Sequence, residues 1–559
     1  MSVIRYEVRK GAYYDSVVLM QLQKALTGLA GVLDAGVVMA TAANKELLAA
    51  GDLLPEGVEA GADDLLIVVK GEEETAVVNA LAQVDELLKR RRTSTGQDFR
   101  PRSLEAAVNI LPEANWVLVS VPGRYAAGVA EEALRLNRHV FLYSDNVSLE
   151  DEIRLKQMAR EKGLLVMGPD CGTAIINGIG LGFANRVQRG NIGLVGASGT
   201  GLQAITSRIH NLGGGVSQAI GTGGRDLKEA VGGLTTLQGM DLLARDEETA
   251  VIVLVSKPPA PSVVTRLLSA ALSITKPVVV SFLGYPPPAR RLGNLYFATT
   301  LAEAADLAIK LAKELTSEAE TAETSRISGY IRGLFSGGTL AYEAVLGLQA
   351  ILHPLYTNVP VRPEQTLPDP LTSQGHTILD LGEDVFTQGR LHPMMDNDLR
   401  LRRLRQEAAD PETGLILLDV VLGEGAHPDP AAELAPAIAE VCRQRQIPVV
   451  AVVVGTEDDP QNMDAQIEQL QEAGATVFQD MTTAISYIAQ QLAASSLVAG
   501  TPVSLTAFGE ELSAINVGLE SFYDSLKAQG GTAVQVEWRP PAGGNEKLMA
   551  ILAKMKQQA

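Results

Sequence analysis

Residues 190–204 read GNIGLVGASGTGLQA: a short apolar strand (Ile192–Val195), a glycine-rich turn (196–201) and the start of a helix. A turn of this kind directs the free backbone N–H groups of a helix N-terminus at one point, and its glycines let an anion approach closely. Ser198 or Thr200 would add a hydroxyl donor there. N-capping of the helix by these residues explains the same pattern, so both interpretations stay open. A Walker P-loop is excluded, because no lysine follows the last glycine.

The same arrangement recurs in the second half of the chain. Strand Tyr330–Phe335 leads into the turn Ser336-Gly337-Gly338-Thr339 and the helix Leu340–Gln349, and Ser336 lies 138 positions after Ser198. Three further pairs of segments correspond in the same order: 220–227 with 379–386, 246–261 with 410–430, and 276–284 with 447–455. Four matched blocks predict a domain duplication. The two helix ends would then face each other across a pseudo-twofold interface and hold one phosphate-sized anion, at Ser198-Gly199-Thr200-Gly201 and at Ser336-Gly337-Gly338-Thr339.

Apolar strands alternate with amphipathic helices along most of the chain, which is typical of parallel sheets covered on both faces. We therefore predict an α/β fold of several domains. It is preceded by a small α+β domain of split βαβ type that ends in one long helix, Glu73–Arg92. The predicted boundaries are 1–92 for the small domain, 103–188 for a Rossmann-like domain, 189–318 and 326–499 for the two copies, and 500–559 for a C-terminal segment.

Composition narrows the class of partner. The chain has 559 residues, of which 46% are hydrophobic and 20% charged, the balance of a soluble globular protein. A net charge of -19 repels phosphate backbones and anionic lipids, so neither nucleic acid nor a membrane surface is expected as a partner. No apolar run approaches the roughly 18 residues of a membrane span. Together these features predict a cytoplasmic protein.

Cysteine and histidine usage gives no sign of a metal site. Two cysteines, Cys171 and Cys442, are too few for a disulfide framework or a thiolate cluster, and they fit a reducing compartment. The six histidines are scattered without metal-ligand spacing. Cys171 lies in GPDCGT (168–173) with no neighbouring histidine, which favours a buried, inert cysteine over a nucleophile.

Four further candidates lie in predicted loops at the carboxyl ends of strands, where open α/β sheets bind ligands. Arg225 would bind a carboxylate or phosphate, although pairing with Asp226 in a solvated turn fits the sequence equally well. Lys257 follows a buried strand and is either an anion-binding cation or a surface lysine. In the second copy, Arg390 occupies a position similar to that of Arg225. His392 is a candidate acid–base residue, but a lone loop histidine is more often structural.

These motifs resemble a known family. VSVPGRYAAGVAEEAL (119–134), EKGLLVMGPDCGT (161–173) and GNIGLVGASGTGLQA (190–204) resemble the α subunit of succinyl-CoA synthetase, and residues 336 to about 494 resemble the ligase domain of its β subunit. With GPDCGT, SKPP, GRLHPM and PPAGGN in this order, nearly the whole chain resembles the FdrA family, a fused member of the acyl-CoA synthetase superfamily. The resemblance implies a partial CoA-binding domain at 103–188 and flavodoxin-like ligase domains at 189–318 and 326–499. It also implies that both helix N-termini, at Ser198 and Ser336, cradle a phosphohistidine.

Three departures from the synthetase pattern change this expectation. The R-M-G-H loop of the phosphohistidine corresponds to Arg291-Leu292-Gly293-Asn294, and asparagine cannot carry the phosphoryl group as histidine does. The glutamate that orients the histidine corresponds to Lys257, a cation that suits a free phosphate or an acyl phosphate. An ATP-grasp domain is missing, and residues 1–92 stand where the glycine-rich half of the CoA-binding domain is expected. We therefore expect no nucleotide use and no certain cofactor, with CoA left as an open alternative.

The FdrA resemblance implies an oxamate carbamoyltransferase subunit of anaerobic allantoin breakdown. Its small anionic substrates would be oxalurate, phosphate, oxamate and carbamoyl phosphate, and it would work with separate partner subunits. The expected roles are phosphate binding at the helix ends and Lys257, and binding of the substrate carboxylate by Arg225 or Arg390. Two alternatives stay open: an acid–thiol ligase subunit like succinyl-CoA ligase, and a scaffold subunit with a degenerate site. The duplicated domains also favour an oligomer.

Overall fold

The structure is a computed structural model, and it describes residues 2–12, 16–55, 57–61, 64–89, 100–314, 327–492 and 500–540. It divides into two compact units, one of residues 1–155 and 510–559 and one of residues 156–509. The predicted linker 316–325 and most of the PPAGGN motif lie outside the described residues. In the described part of the chain, no helix is long and apolar enough to cross a membrane.

The N-terminal part of the first unit is a three-stranded antiparallel sheet with helices, as the predicted small α+β domain requires. Its central strand β3 alternates between two apolar clusters, with Leu65, Ile67 and Val69 in one and Leu66 and Val68 in the other. Its elements are β1 (Val3–Arg9), α1 (Ser16–Thr27), β2 (Val32–Met39), α2 (Ala42–Ala50), β3 (Leu65–Gly71), α3 (Glu74–Ala82) and α4 (Val84–Lys89), with sheet order β1-β3-β2. The predicted single helix Glu73–Arg92 is therefore two helices, and its last residues lie outside the described part.

A parallel sheet forms the rest of the first unit. Its elements are α5 (Leu104–Ile110), β4 (Trp116–Val119), α6 (Gly123–Arg135), β5 (His139–Leu142), β21 (Ser513–Val517), α19 (Glu520–Ala528) and β22 (Thr532–Val536). The order is β22-β21-β4-β5, with Ala514 paired to Trp116 and Ser513 to Thr532. The C-terminal segment predicted to stand apart thus adds two strands to the Rossmann-like sheet. The half of that sheet expected to be missing comes from the far end of the chain.

The second unit begins with helix α7 (Leu149–Lys162) at its border and continues into the first copy of the duplicated domain. The elements are β6 (Val166–Met167), β7 (Thr173–Ile176), β8 (Ile179–Gly182), β9 (Arg189–Gly196), α8 (Gly199–Asn211), β10 (Val216–Gly221), α9 (Leu234–Arg245), β11 (Val251–Ser256), α10 (Pro261–Leu272), β12 (Val278–Phe282), β13 (Arg291–Leu292), β14 (Leu295–Phe297) and α11 (Leu301–Glu314). The parallel strands run in the order β10-β9-β11-β12-β14. Hairpin β7–β8 pairs antiparallel with β10, so the predicted boundary at residue 188 falls inside one sheet.

The second copy has the same strand order. Its elements are β15 (Tyr330–Phe335), α12 (Gly338–Leu348), β16 (Leu355–Thr357), a 3-10 helix (Pro363–Gln365), β17 (His376–Asp380), α13 (Asp384–Thr387), α14 (Asp398–Ala409), β18 (Thr413–Val421), α15 (Pro430–Arg445), β19 (Val449–Val454), α16 (Met463–Glu472), β20 (Thr476–Phe478) and α17 (Met481–Gln491), followed by α18 (Thr506–Gly509). The strands run β16-β17-β15-β18-β19-β20 and all pair in parallel. Order β17-β15-β18-β19-β20 repeats β10-β9-β11-β12-β14, the flavodoxin-like order.

The edge at which parallel strands end is where a ligand-binding site can form. All six residues of β11 are buried, because helices cover both faces of the sheet. The strands β9, β10 and β11 end at the same edge, so the segments that follow them meet there. Those segments are the turn after Gly196, the glycine-rich loop after Gly221, and Lys257.

Candidate anion-binding site

A cavity of about 300 Å³ lies at this edge of the sheet in the first copy of the duplicated domain. This volume is many times what a single water molecule needs, which leaves room for a phosphate group. Four segments surround it: the GPDCGT loop, the turn after β9, the loop after β10, and Lys257. The lining residues are Asp170, Cys171, Gly172, Thr173, Phe183, Gly196, Ala197, Ser198, Gly199, Thr200, Gln203, Gly221, Gly223, Gly224 and Lys257.

The N-terminus of α8 supplies one wall of this cavity. Ser198 is the N-cap, and its Oγ accepts a hydrogen bond from Gly201 N at 3.2 Å. N-capping by Ser198 is therefore confirmed, and the residue also lines the cavity, so anion binding at this turn stays a prediction. Among the described residues, the N–H groups of Gly199 and Thr200 donate to no protein acceptor. These two donors and the positive end of the helix favour an anion.

Lys257 supplies a full positive charge to the same cavity. It directly follows β11, its side chain is exposed, and it has no hydrogen-bond or ion-pair partner within the described ranges. A lysine ammonium is a point donor with three N–H groups, well suited to a phosphoryl or carboxylate oxygen. The cavity thus combines a helix end with a long cationic side chain, as the sequence suggested for Lys257 and the Ser198 turn.

Arg225 is not among the cavity-lining residues. It is half-buried beside Asp226, whose side chain is fully buried. Asp226 accepts bonds from the Lys156 ammonium at 2.7 Å and from the Thr236 hydroxyl at 2.6 Å. The turn is therefore not solvated at Asp226, unlike the solvated pair considered from the sequence. Its buried network fixes the glycine-rich loop that lines the cavity.

The second turn has a different chemistry. Ser336 is fully buried, and its N–H and Oγ donate to the two carboxylate oxygens of Asp419 at 2.8 and 2.9 Å. Arg400 lies against the same carboxylate at 3.1 Å. Burial is the main cause that raises the pKa of Asp419, and Arg400 opposes it. Asp419 accepts both donors of Ser336, which leaves this residue no free donor for phosphate.

The two turns are also offset by one residue from the predicted equivalence. Helix α8 starts at Gly199 after the N-cap Ser198, and α12 starts at Gly338 after the N-cap Gly337, so the starts are 139 residues apart. Ser198 therefore corresponds to Gly337, which has no capping side chain. None of the four residues Ser336, Gly337, Gly338 and Thr339 lines the cavity. The cavity contains only the first of the two helix ends.

His392 lies near the second turn, and neither His392 nor Arg390 lines the cavity. A Cβ atom placed on Gly382 would lie 2.9 Å from His392 Nε2 and 3.1 Å from Asp380 Oδ1, so the ring and the carboxylate are neighbours. His392 Nδ1 accepts a bond from Met394 N at 3.3 Å, which favours the tautomer with its proton on Nε2. Burial raises the pKa of Asp380. Arg390 is exposed.

The side-chain amide of Asn294 is engaged in hydrogen bonds to the surrounding backbone. Its side-chain nitrogen donates to the carbonyl oxygens of Ala271, Ile274 and Lys276 at 2.9, 2.8 and 3.2 Å. The residue is absent from the cavity lining. The position that carries the histidine in the synthetase pattern is therefore a structural amide here.

Cys171 also lines the cavity, but its surroundings do not favour a thiolate. It is buried, and burial raises the pKa of its thiol to about 12. Its Sγ points to the carbonyl oxygen of Thr173 at 3.7 Å. The burial of Cys171 favoured from the sequence is confirmed, and its raised pKa disfavours the thiolate that a nucleophile requires.

Three family models match parts of the chain. A CoA-ligase model matches residues 334–490, and a CoA-binding domain model matches residues 187–284. A model described as an AllF heavy metal-associated domain matches residues 1–102. The CoA-binding match covers part of the segment that the sequence analysis assigned to the first ligase domain. These matches define the class: an α/β protein with regions of the CoA-binding and CoA-ligase types.

Curated relatives narrow this class to a family. YahF of Escherichia coli K12, an uncharacterized protein, is 42% identical over 497 residues, which cover 86% of this chain and 96% of YahF. The chain belongs to the family of YahF. The α subunit 1 of an ADP-forming succinate–CoA ligase from Archaeoglobus fulgidus is 29% identical over 186 residues, covering 32% of this chain and 62% of that subunit.

Solved structures give weaker likenesses. An ATP citrate lyase from Methanothrix soehngenii in complex with citrate and coenzyme A has a TM-score of 0.33 and 17% identity, covering 55% of this chain and 56% of that one. A dinucleotide-forming acetyl-coenzyme A synthetase 1 of Candidatus Korarchaeum cryptofilum has a TM-score of 0.27 and 15% identity, covering 67% of this chain and 82% of that one.

The N-terminal domain does not fit the metal that the name of its matching family implies. Heavy and soft transition metals prefer thiolate or imidazole ligands. Residues 1–102 contain neither cysteine nor histidine. Within the described ranges, no group of three or more His, Cys, Asp or Glu side chains is arranged to hold a metal ion. We therefore assign no metal chemistry to this domain.

The Rossmann-like sheet does not offer a phosphate cradle for CoA at its switch point. Ligands of such sheets bind where neighbouring strands connect in opposite directions, here between β21 and β4. At this point Leu519 N donates to Ser120 Oγ at 2.8 Å. Glu520 places a carboxylate in the first turn of α19, which disfavours a phosphate at that helix end. The described residues of this turn do not fit a diphosphate.

Proposed function

We propose that the chain is the catalytic subunit of a carbamoyltransferase of the oxamate type that uses no phosphohistidine. The observation that carries the proposal is one cavity in which Lys257 and the free N–H groups of Gly199 and Thr200 line the same space. The position of the carrier histidine is occupied by Asn294, which argues against a phosphohistidine. The side-chain nitrogen of Asn294 already donates to three carbonyl groups. Direct transfer between phosphate and a carbamoyl group fits this combination.

In the proposed reaction, the amide nitrogen of oxamate attacks the carbonyl carbon of carbamoyl phosphate. A C–N bond forms, the C–O bond to the phosphate breaks, and one proton passes from the nitrogen to the departing phosphate. The products are oxalurate and hydrogen phosphate, and the reverse direction consumes them. Negative charge grows on the bridging oxygen as the C–O bond breaks, and the Lys257 ammonium with the α8 N–H donors would stabilise it.

The remaining parts of the proposal follow the FdrA resemblance. Separate partner subunits would complete the enzyme, the chain would act as an oligomer in the cytoplasm, and allantoin breakdown would be its context. Arg225, Arg390 and His392 lie outside the cavity lining, so we give them no direct contact with the phosphate.

The test is calorimetric titration of the full chain with inorganic phosphate and with carbamoyl phosphate, followed by an assay of carbamoyl phosphate with oxamate. The K257A variant should weaken binding of both ligands by at least about tenfold, as expected for loss of a charge-assisted contact. The matched control is K228A, an exposed lysine outside the cavity lining. Equal binding by K257A and wild type would contradict the proposed site.

A second candidate is an acid–thiol ligase subunit that takes nucleotide handling from a partner. The CoA-ligase match at residues 334–490 and the succinate–CoA ligase relative favour it. Incubation with labelled ATP or acyl phosphate and the partner would then leave acid-labile phosphate on the chain. Under the carbamoyltransferase proposal none is expected. A chain that binds neither phosphate nor carbamoyl phosphate at millimolar concentration would instead be a scaffold subunit.

A further inference from the structure

Asp170 faces the same cavity as Lys257 but brings the opposite charge. Asp170 is exposed and is one of the residues that line the cavity, and its side chain has no hydrogen-bond or ion-pair partner among the residues that the structure describes. Its backbone has φ +56°, in the left-handed region that L residues rarely adopt. Aspartate adopts this region more readily than most L residues, and at ligand sites the surroundings hold such conformations in place.

The surroundings of Asp170 do hold it in place. A Cβ atom on Gly221 would lie 2.5 Å from the Sγ of Cys171 and 2.3 Å from the carbonyl oxygen of Thr173. A Cβ atom on Gly223 would lie 2.4 Å from the carbonyl oxygen of Pro169. The end of β10 and the loop after it therefore pack closely against the residues on either side of Asp170 in the chain. The segment that carries Asp170 along the cavity has little room to shift.

A carboxylate beside an anion site favours some ligands over others. An ionised carboxylate only accepts hydrogen bonds, so it attracts N–H donors and repels a second anionic group. A ligand with its phosphate at Lys257 would turn an amino group toward Asp170 more favourably than a methyl group. Carbamoyl phosphate carries such an NH₂ group, and acetyl phosphate has a methyl group of similar size in its place.

We propose that Asp170 is a specificity-determining residue that accepts a hydrogen bond from the NH₂ group of a carbamoyl phosphate bound at Lys257. This inference rests on the proposed function, because it requires an anion at the Lys257 end of the cavity. It goes further by naming the residue that separates carbamoyl from acyl ligands. The same contact would disfavour succinyl phosphate, whose carboxylate would meet Asp170.

The experiment compares the affinities of carbamoyl phosphate, acetyl phosphate and inorganic phosphate for the full chain by competition titration. Wild type should prefer carbamoyl over acetyl phosphate by about tenfold, the usual effect of one hydrogen bond to a charged group. D170G removes the side chain and suits a positive φ, so it should fold and bind both acyl phosphates equally. D170N also suits this backbone and should retain part of the preference. The matched control D52G changes another exposed aspartate with positive φ, φ +52°, and should keep the full preference.

The outcomes separate this inference from the proposed function. If phosphate binds in a Lys257-dependent way but D170G keeps the wild-type preference, Asp170 has no selective role and the proposed site stands. If wild type binds carbamoyl and acetyl phosphate equally, the inference is likewise overturned. If wild type binds no phosphate, both the site and the inference fail.

Discussion

The ammonium of Lys156 lies 2.7 Å from Oδ1 of Asp226, and both side chains are completely buried. Lys156 also donates to the carbonyl oxygen of Thr222 at 2.9 Å, at the start of the glycine-rich loop that lines the cavity. The backbone N–H of Thr236 donates to the other carboxylate oxygen at 2.9 Å. This buried pair connects the middle of helix α7 to the loop after β10, which contributes residues to the cavity lining.

Removal of one partner of this pair should be strongly destabilising. K156M leaves the Asp226 carboxylate buried without its cation, and such losses cost about 3–5 kcal/mol. Urea unfolding should therefore show a large fall in the midpoint, and phosphate binding should weaken because the loop loses its anchor. The double variant K156M/D226N removes the uncompensated charge and should recover part of the loss.

The control for this prediction is the exposed pair Arg208–Asp306, at 2.8 Å. The R208M variant should leave the unfolding midpoint unchanged, because water screens an exposed pair. A K156M protein as stable as R208M would show that the buried pair does not hold the fold together. A stable K156M protein with normal phosphate binding would also remove its proposed role under the cavity.

The sequence was sufficient for features that depend on neighbouring residues. The strand, turn and helix at residues 190–204 form as predicted, because apolar runs, glycines and a capping serine act locally. The α/β class and the repeated strand order are also confirmed. The pairing of β21 with β4 joins residues about 400 positions apart, and no local pattern indicates it. The break between α3 and α4 was likewise missed, since Gln83 carries no helix-breaking signal.

Of the predicted site, the part formed by Lys257 and the Ser198 turn could be predicted from the sequence, and the part assigned to the Ser336 turn could not. Lys257 and the Ser198 turn meet because parallel strands end at one edge, which sequence can anticipate. The amino-acid sequence of the second turn makes it look equivalent to the turn at Ser198. Its serine is instead bonded to Asp419, which lies 83 residues further along the chain. Asp170 was overlooked beside Cys171, although an aspartate before a cysteine–glycine pair in a tight loop is a candidate for a left-handed conformation.

Asn294 should matter for stability and not for phosphoryl transfer. N294A leaves the carbonyl groups of Ala271, Ile274 and Lys276 without this donor, at a cost of about 1–3 kcal/mol. N294D should cost more, because a carboxylate would face three carbonyl oxygens. Thermal unfolding measures both. Phosphate titration should give wild-type affinity for N294A, and a loss of affinity larger than the loss of stability explains would place Asn294 in the site.

His139 should make stability depend on pH. Its ring is buried and stacks on Trp116 at 4.8 Å, and burial is the main cause that lowers its pKa from 6.5 to about 4. Above pH 6.5 the ring is neutral in both states, so it has no effect. As the pH falls from 6.5 toward 4, the unfolded state takes up a proton that the folded state refuses, which costs up to roughly 3 kcal/mol. Urea unfolding across this window should show the loss, and H139F should reduce it. An identical pH dependence in H139F would contradict the assignment.

A carboxylate at Ser198 should separate helix capping from anion binding. Aspartate is as good an N-cap as serine and is favoured by the helix dipole, so S198D should fold with at least wild-type stability. Its charge would stand beside the N–H groups of Gly199 and Thr200, and phosphate affinity should fall by at least about tenfold. The matched control is S103D at the N-cap of α5, where Ser103 Oγ accepts from Ala106 N at 3.2 Å. S103D should keep wild-type affinity. Undiminished phosphate binding by S198D would mean that the anion does not lie at this helix end.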